Sequence, residues 1–116
     1  MFEPLSRLFR GDPAKVRRAL DVFQRTTCSD LEQLDRAYAA GDRASIGRLM
    51  HKMRSGCMQV GEDAAAEAIQ AVERTLHAAA ESDAFARAFA FARDELDRVQ
   101  ARVAAYLSTE SETGEG

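Results

Sequence analysis

Tryptophan is absent from this 116-residue chain, and proline and cysteine occur only twice each. Pro4 and Pro13 both lie near the start, so past residue 13 no proline interrupts a helix. Cys28 and Cys57 form no CxxC pair. That argues against a disulfide or a metal site and casts them as reduced core residues on apolar helical faces. No apolar run approaches the roughly 20 residues of a membrane span, and the short, mixed, charged N-terminus has no signal-peptide pattern. A cytoplasmic protein with no membrane contact through this segment is expected. The net charge is only −3 and the cations are scattered along helical faces, which gives no case for nucleic-acid binding. Period-2 alternation, hairpin signals and internal repeats are all missing. A glycine-rich phosphate loop is missing too. The two histidines, His51 and His77, have no histidine four residues away and no glutamate three before them, because positions 48 and 74 are arginine. Helical zinc pairs and di-iron bundles are thereby set aside.

What remains is a charged, alanine-rich chain with apolar residues at helical spacing, long enough for one domain with its own core. Phe2, Leu5, Leu8 and Phe9 mark a short helix that Gly11 ends. Asp12-Pro13 is an N-cap followed by proline at the first helical position. A helix from about 13 to 40 follows, its face drawn by Val16, Leu20, Phe23, Thr27, Leu31, Leu34 and Tyr38, with Gly41 at its C-terminal end. Asp42 caps the next helix, which Gly61 ends. Glu62-Asp63 open a third long helix with the stripe Ala65, Ala68, Ile69, Val72, Leu76 and Ala79. Ser82 or Asp83 caps the last, to about 107, with Phe85, Phe89, Leu96, Val99, Val103 and Tyr106 inward. Residues 108–116 are acidic without an apolar anchor, so a disordered tail is expected beyond a domain spanning 1–107. Four helices joined by short loops predict an all-α, antiparallel up-down four-helix bundle with a short extra N-terminal helix.

Residues 46–61 hold the one group with chemical promise. Ile46, Leu49, Met50, Met53, Cys57 and Val60 form the buried stripe, and His51 lies roughly 140° from its centre, pointing outward. Gly47 and Ser55 flank it one turn away on either side, and Arg54 is three residues on. A Cys57–His51 nucleophile pair is poorly set up, because the two point to different sides of one helix. By itself an exposed lone histidine is ordinary surface.

The run His51-Lys52-Met53-Arg54-Ser55-Gly56-Cys57, with Gly61 ten positions after the histidine, resembles the signature of the histidine-containing phosphotransfer (Hpt) domain. In that family the histidine is followed by any residue, Leu or Met, a basic residue and then small residues. Upstream, Asp30-Leu31, Leu34, Ala37 and Gly41-Asp42 match the family's approach to its histidine helix; downstream, Val72-Glu73 falls where an apolar residue precedes Glu or Gln. The likeness covers about residues 16–80. It departs at Ser55, where the family usually has glycine, which bears on how closely a partner loop fits.

The resemblance implies a four-helix bundle and a phosphocarrier, not an enzyme. Nε2 of His51 would take a phosphoryl group from an aspartyl-phosphate and hand it to another aspartate. Imidazole suits this because, with an ordinary pKa of about 6.5, it is largely neutral at physiological pH. Nδ1 must then carry the hydrogen. Glu73, on the core-side edge of the third long helix by wheel geometry, is placed to accept it; an ordinary boundary glutamate is the plain alternative. Arg54 would offset phosphoryl charge. Arg48 and Lys52 are expected in solvent, steering an acidic pocket from a distance. Gly47, Ser55 and Met58 would form the floor a partner approaches, with the Ser55 hydroxyl free to donate to a phosphoryl oxygen; Met58 reads equally as a half-buried gap-filler. The domain would bring no cofactor or metal of its own. Mg²⁺ and the acceptor aspartate would come from the partner, the receiver domain of a response regulator or hybrid sensor kinase. A monomer is expected, either free-standing or the C-terminal piece of a hybrid kinase. The rival from another class is a helical interaction or dimerisation module in which His51 is incidental. A dimerising histidine-kinase bundle fits less well, since Lys52 follows the histidine where such kinases have an acid.

Overall fold

The caps read from the sequence set the helix boundaries. Asp12 Oδ1 accepts from the backbone N–H groups of Ala14 (3.0 Å) and Lys15 (3.4 Å), with Pro13 at the first helical position. Asp42 Oδ1 accepts from Ser45 N (3.1 Å) and its Oδ2 from the Ser45 hydroxyl (2.6 Å). These bonds hold the Asp42 carboxyl below the usual carboxylate range. The computed structural model describes residues 2–77 and 82–115. Its helices are α1 (Glu3–Leu8), α2 (Pro13–Ala40), α3 (Arg43–Val60), α4 (Asp63–His77) and α5 (Ser82–Glu115). No strand occurs among the described residues.

The four long helices form a ring. α2 and α4 each pack against α3 and α5, and the backbones of the diagonal pairs α2–α4 and α3–α5 stay apart. Leu20, Leu34, Ile46, Met50, Ile69, Val72, Leu96, Val99 and Val103 are fully buried where the stripes converge. Ala65, Ala66 and Ala68 keep the α4 face low, so α3 approaches closely. α1 lies across α2 and α3 at one end. Its seat is Gly61, which adopts φ 82° and where an added Cβ would stand 2.8 Å from Pro4 Cδ, so both backbone sign and space demand glycine.

Polar ties cross the ring. Arg102 grips the carboxylate of Glu62 through Nε (3.1 Å) and Nη2 (2.6 Å), fixing the α3–α4 corner to α5. Arg93 of α5 binds Asp35 of α2 at 2.9 and 3.1 Å and also reaches Asp97. Arg17 donates to the Leu107 carbonyl (2.6 Å).

The all-helical bundle and its short N-terminal helix match expectation; four details differ. Leu8, at the last position of α1, is 69 % exposed although Leu5 one turn earlier is buried. Tyr38, expected inward, sits at the rim with its ring stacked on Phe89 at a centroid distance of 4.0 Å. Cys28 is exposed rather than buried, since Thr27 occupies the stripe and Cys28 is turned a residue past it. Cys57 is buried as expected, and that burial, with Glu62 nearby, pushes its thiol up to about 12. Finally, the α5 backbone stays helical to Glu115 rather than ending near 107. No proline or glycine intervenes before Gly114, and the Thr109 hydroxyl bonds the Ala105 carbonyl (2.9 Å). Ala79, expected in the α4 stripe, lies outside the described residues.

Candidate functional site

α3 turns His51 outward because Met50 and Met53, on either side of it, are buried. The His51 side chain is 67 % exposed, while Glu73, arriving from α4, is 16 % exposed. Position 73 follows the fully buried Val72, so its carboxylate emerges at the seam between the helices. The sequence reading placed these two together, and they meet: His51 Nδ1 is 3.4 Å from Glu73 Oε2. Arg54 completes the group, with Nε 3.0 Å from Glu73 Oε1 and Nη2 3.5 Å from His51 Nδ1.

Both long contacts converge on one atom, and they demand opposite things of it. Glu73 can only accept, so its contact needs a hydrogen on Nδ1; Arg54 can only donate, so its contact needs a lone pair there. A hydrogen on Nδ1 turned to Glu73 leaves the lone pair on Nε2, whereas a lone pair on Nδ1 turned to Arg54 leaves the hydrogen on Nε2. Nε2 has no hydrogen-bond partner among the described residues. Arg54, facing Glu73 directly, neutralises the carboxylate that would otherwise stand half-buried and alone.

The other predicted residues spread around this centre. Gly47 is half-buried one turn back, and a Cβ there would rest 3.6 Å from Leu76 Cδ1, so its missing side chain leaves a hollow with an apolar floor. Arg48 is exposed and donates only to Ser45 Oγ (3.3 Å). Met58 is 58 % exposed on the same side as His51, which disfavours the gap-filler reading. The Ser55 hydroxyl points back to the His51 carbonyl (3.4 Å), as helical serines do, and is not aimed outward. Lys52 is not merely solvated: its Nζ donates to Asp30 Oδ1 at 2.9 Å, and the Asp30 side chain is only 4 % exposed.

Sequence reasoning missed that pair. Asp30 was legible only as the first residue of the Asp-Leu motif, with no sign that it answers a lysine across the α2–α3 seam. A buried carboxylate without its cation is costly. Lys52→Met is therefore expected to destabilise the fold by about 1–2 kcal/mol, reduced from a fully buried pair because Lys52 is largely in water. Adding Asp30→Asn should return part of the loss; a urea double-mutant cycle with no coupling between the positions would refute the assignment.

Among the described residues no cluster of three or more His, Cys, Asp or Glu side chains is arranged to hold a metal ion, and no helix is long and apolar enough to cross a membrane. The family model of the Hpt domain matches residues 18–102. The chain belongs to the Hpt family. No curated protein and no solved structure matches it. Hpt domains serve histidine phosphotransfer in phosphorelays, acting as phosphotransfer modules for the receiver domains of response regulators or kinases rather than as enzymes in the usual sense. In this Hpt domain the helix that the family signature occupies is α3, and the outward histidine of that signature is His51.

Proposed function

We propose that this Hpt domain carries a phosphoryl group on Nε2 of His51, between the aspartyl-phosphate of one receiver domain and the aspartate of another. The observation behind the reading is the Glu73 carboxylate at Nδ1 of an exposed imidazole. In the forward step the Nε2 lone pair attacks phosphorus, the P–O bond to the donor aspartate breaks, and the aspartate leaves as a carboxylate. The ring then holds Nδ1–H and Nε2–P and carries positive charge, which Glu73 stabilises. Arg54 offsets charge on the phosphoryl oxygens. The reverse of the same step delivers the group to the next aspartate.

The module has only the nucleophile and its supports to contribute. Mg²⁺ and the acceptor carboxylate would come from the receiver, and the domain would work in the cytoplasm beside it. Gly47, Arg48, Lys52, Ser55 and Met58 form the surface the receiver covers, with Lys52 held in place by Asp30.

The test is incubation with Mg²⁺ and a panel of phosphorylated receivers. The expected product carries phosphate that is labile in acid and stable in alkali, as an N–P bond is, mapped to the peptide containing His51. Label confined to another residue, or no transfer from any receiver in the panel, would return the protein to the interaction-module reading.

A further inference from the structure

The hollow beside His51 reaches well past the imidazole. A cleft of about 450 Å³ runs along the α3–α4 seam from His51 and Glu73 past Gly47 to Arg43, with Arg48 and His77 on its rim. Its floor is apolar, made by Ala44, Gly47 and Leu76. Its rim is basic. Arg48 donates to the Ser45 hydroxyl and only feels the Asp42 carboxylate beyond it, and the Arg43 guanidinium lies over the Phe85 ring at 4.4 Å, so among the described residues neither is held in a direct ion pair. The single acid in the cleft, Glu73, is already matched by Arg54. This local excess stands out on a chain whose net charge is −3.

The cleft and the transfer centre share His51 and Glu73. Any domain whose aspartate reaches Nε2 must therefore lie over the cleft as well. A partner presenting an apolar surface there would strip water from Arg43 and Arg48 and give nothing in return, a costly burial of uncompensated charge. A partner presenting a carboxylate would satisfy them. We propose that the Arg43–Arg48–His77 rim is a second anchoring site that receives an acidic side chain of the receiver, adjacent to but separate from the aspartate that exchanges phosphate, and that this contact selects among receivers. The proposal rests on the phosphocarrier reading above and adds to it Arg43 and His77, which that reading does not use. Gly47 keeps the cleft open to the incoming side chain, and the exposed cations draw the partner in before contact.

The experiment compares two rates for each variant: transfer from a phosphorylated receiver, and labelling of His51 by phosphoramidate, a small donor that needs no docking. For Arg43→Glu and His77→Glu, both at exposed positions, the ratio of receiver-driven to phosphoramidate-driven rate should fall about tenfold at low salt, and the receiver-driven rate should lose much of its salt dependence. Gly47→Gln should lower the same ratio by filling the cleft. Arg98→Glu, on α5 away from α3, should leave the ratio at the wild-type value. Reversing a receiver acid to lysine should restore transfer to one of the charge-reversed variants. Wild-type ratios and salt slopes in Arg43→Glu and His77→Glu would overturn the anchoring site alone. Labelling by phosphoramidate with no transfer from any receiver would overturn the receiver reading and the proposed occupant with it.

Discussion

Glutamine in place of His51 is expected to abolish phosphoryl labelling altogether. An amide nitrogen has its lone pair delocalised and cannot displace a carboxylate from phosphorus, while Arg54 is engaged with Glu73 and the Ser55 hydroxyl is turned to the helix backbone. The side chain is 67 % exposed, so the fold should be unaffected, with stability within about 0.5 kcal/mol of wild type. Glu73→Ala separates the nucleophile from its support. Without the carboxylate, Arg54 remains as a donor 3.5 Å from Nδ1, and the ring turns over to the tautomer with its hydrogen on Nε2. Transfer should slow roughly ten- to a hundredfold, and ¹⁵N NMR of the His51 ring should show Nε2 gaining a proton at neutral pH. Wild-type labelling of His51→Gln would place the phosphate elsewhere; an unchanged tautomer in Glu73→Ala would leave the carboxylate with a purely structural part.

The largest loss of stability is expected from Ile69→Ala. Ile69 is fully buried on α4, between α3 and α5. Removing its three outer carbons forfeits transfer free energy and leaves a hole in a layer already thin with alanine, since Ala65, Ala66 and Ala68 surround it. Comparable core truncations cost about 2–5 kcal/mol, against a total of roughly 5–15 kcal/mol for a domain. The urea midpoint should drop with little change in slope. The consequence reaches the site, because Glu73 lies one turn beyond Ile69 on the same helix. A midpoint equal to wild type would mean that the bundle collapses around the gap. Val22→Ala, at a position 55 % exposed, is the comparison that should cost almost nothing.

Most of the architecture was legible because its signals are local. Asp12-Pro13, Gly41-Asp42 and Gly61 each announce a boundary through their own backbone chemistry, and the apolar stripes declare which face turns in. His51 and Glu73 could be brought together for the same reason, since each sits at the edge of a stripe facing the same seam. The Asp30–Lys52 pair could not be seen in this way. It depends on the relative rotation of α2 and α3, and a charge beside a stripe gives no hint whether another helix will answer it. Cys28 was misjudged because Thr27 fills the stripe beside it, and Leu8 because it closes the short α1. The extent of α5 was misjudged for the opposite reason: the end of an apolar pattern is not the end of a helix unless a glycine or proline enforces it.

The ring order of the helices assigns two jobs to opposite corners. In the proposed complex a visiting domain lands on α3 and α4, whereas the backbone of α5, the helix that carries the chain toward its C-terminus, packs against α2 and α4 and meets α3 through the Arg43–Phe85 contact. Past Leu107, which Arg17 of α2 holds, α5 leaves from the end of the bundle where Tyr106 meets Phe2, whereas His51 lies midway along α3. Attachment and visitation therefore do not compete for surface. The same bundle can hang from a larger assembly or diffuse alone and present an identical face to its visitors.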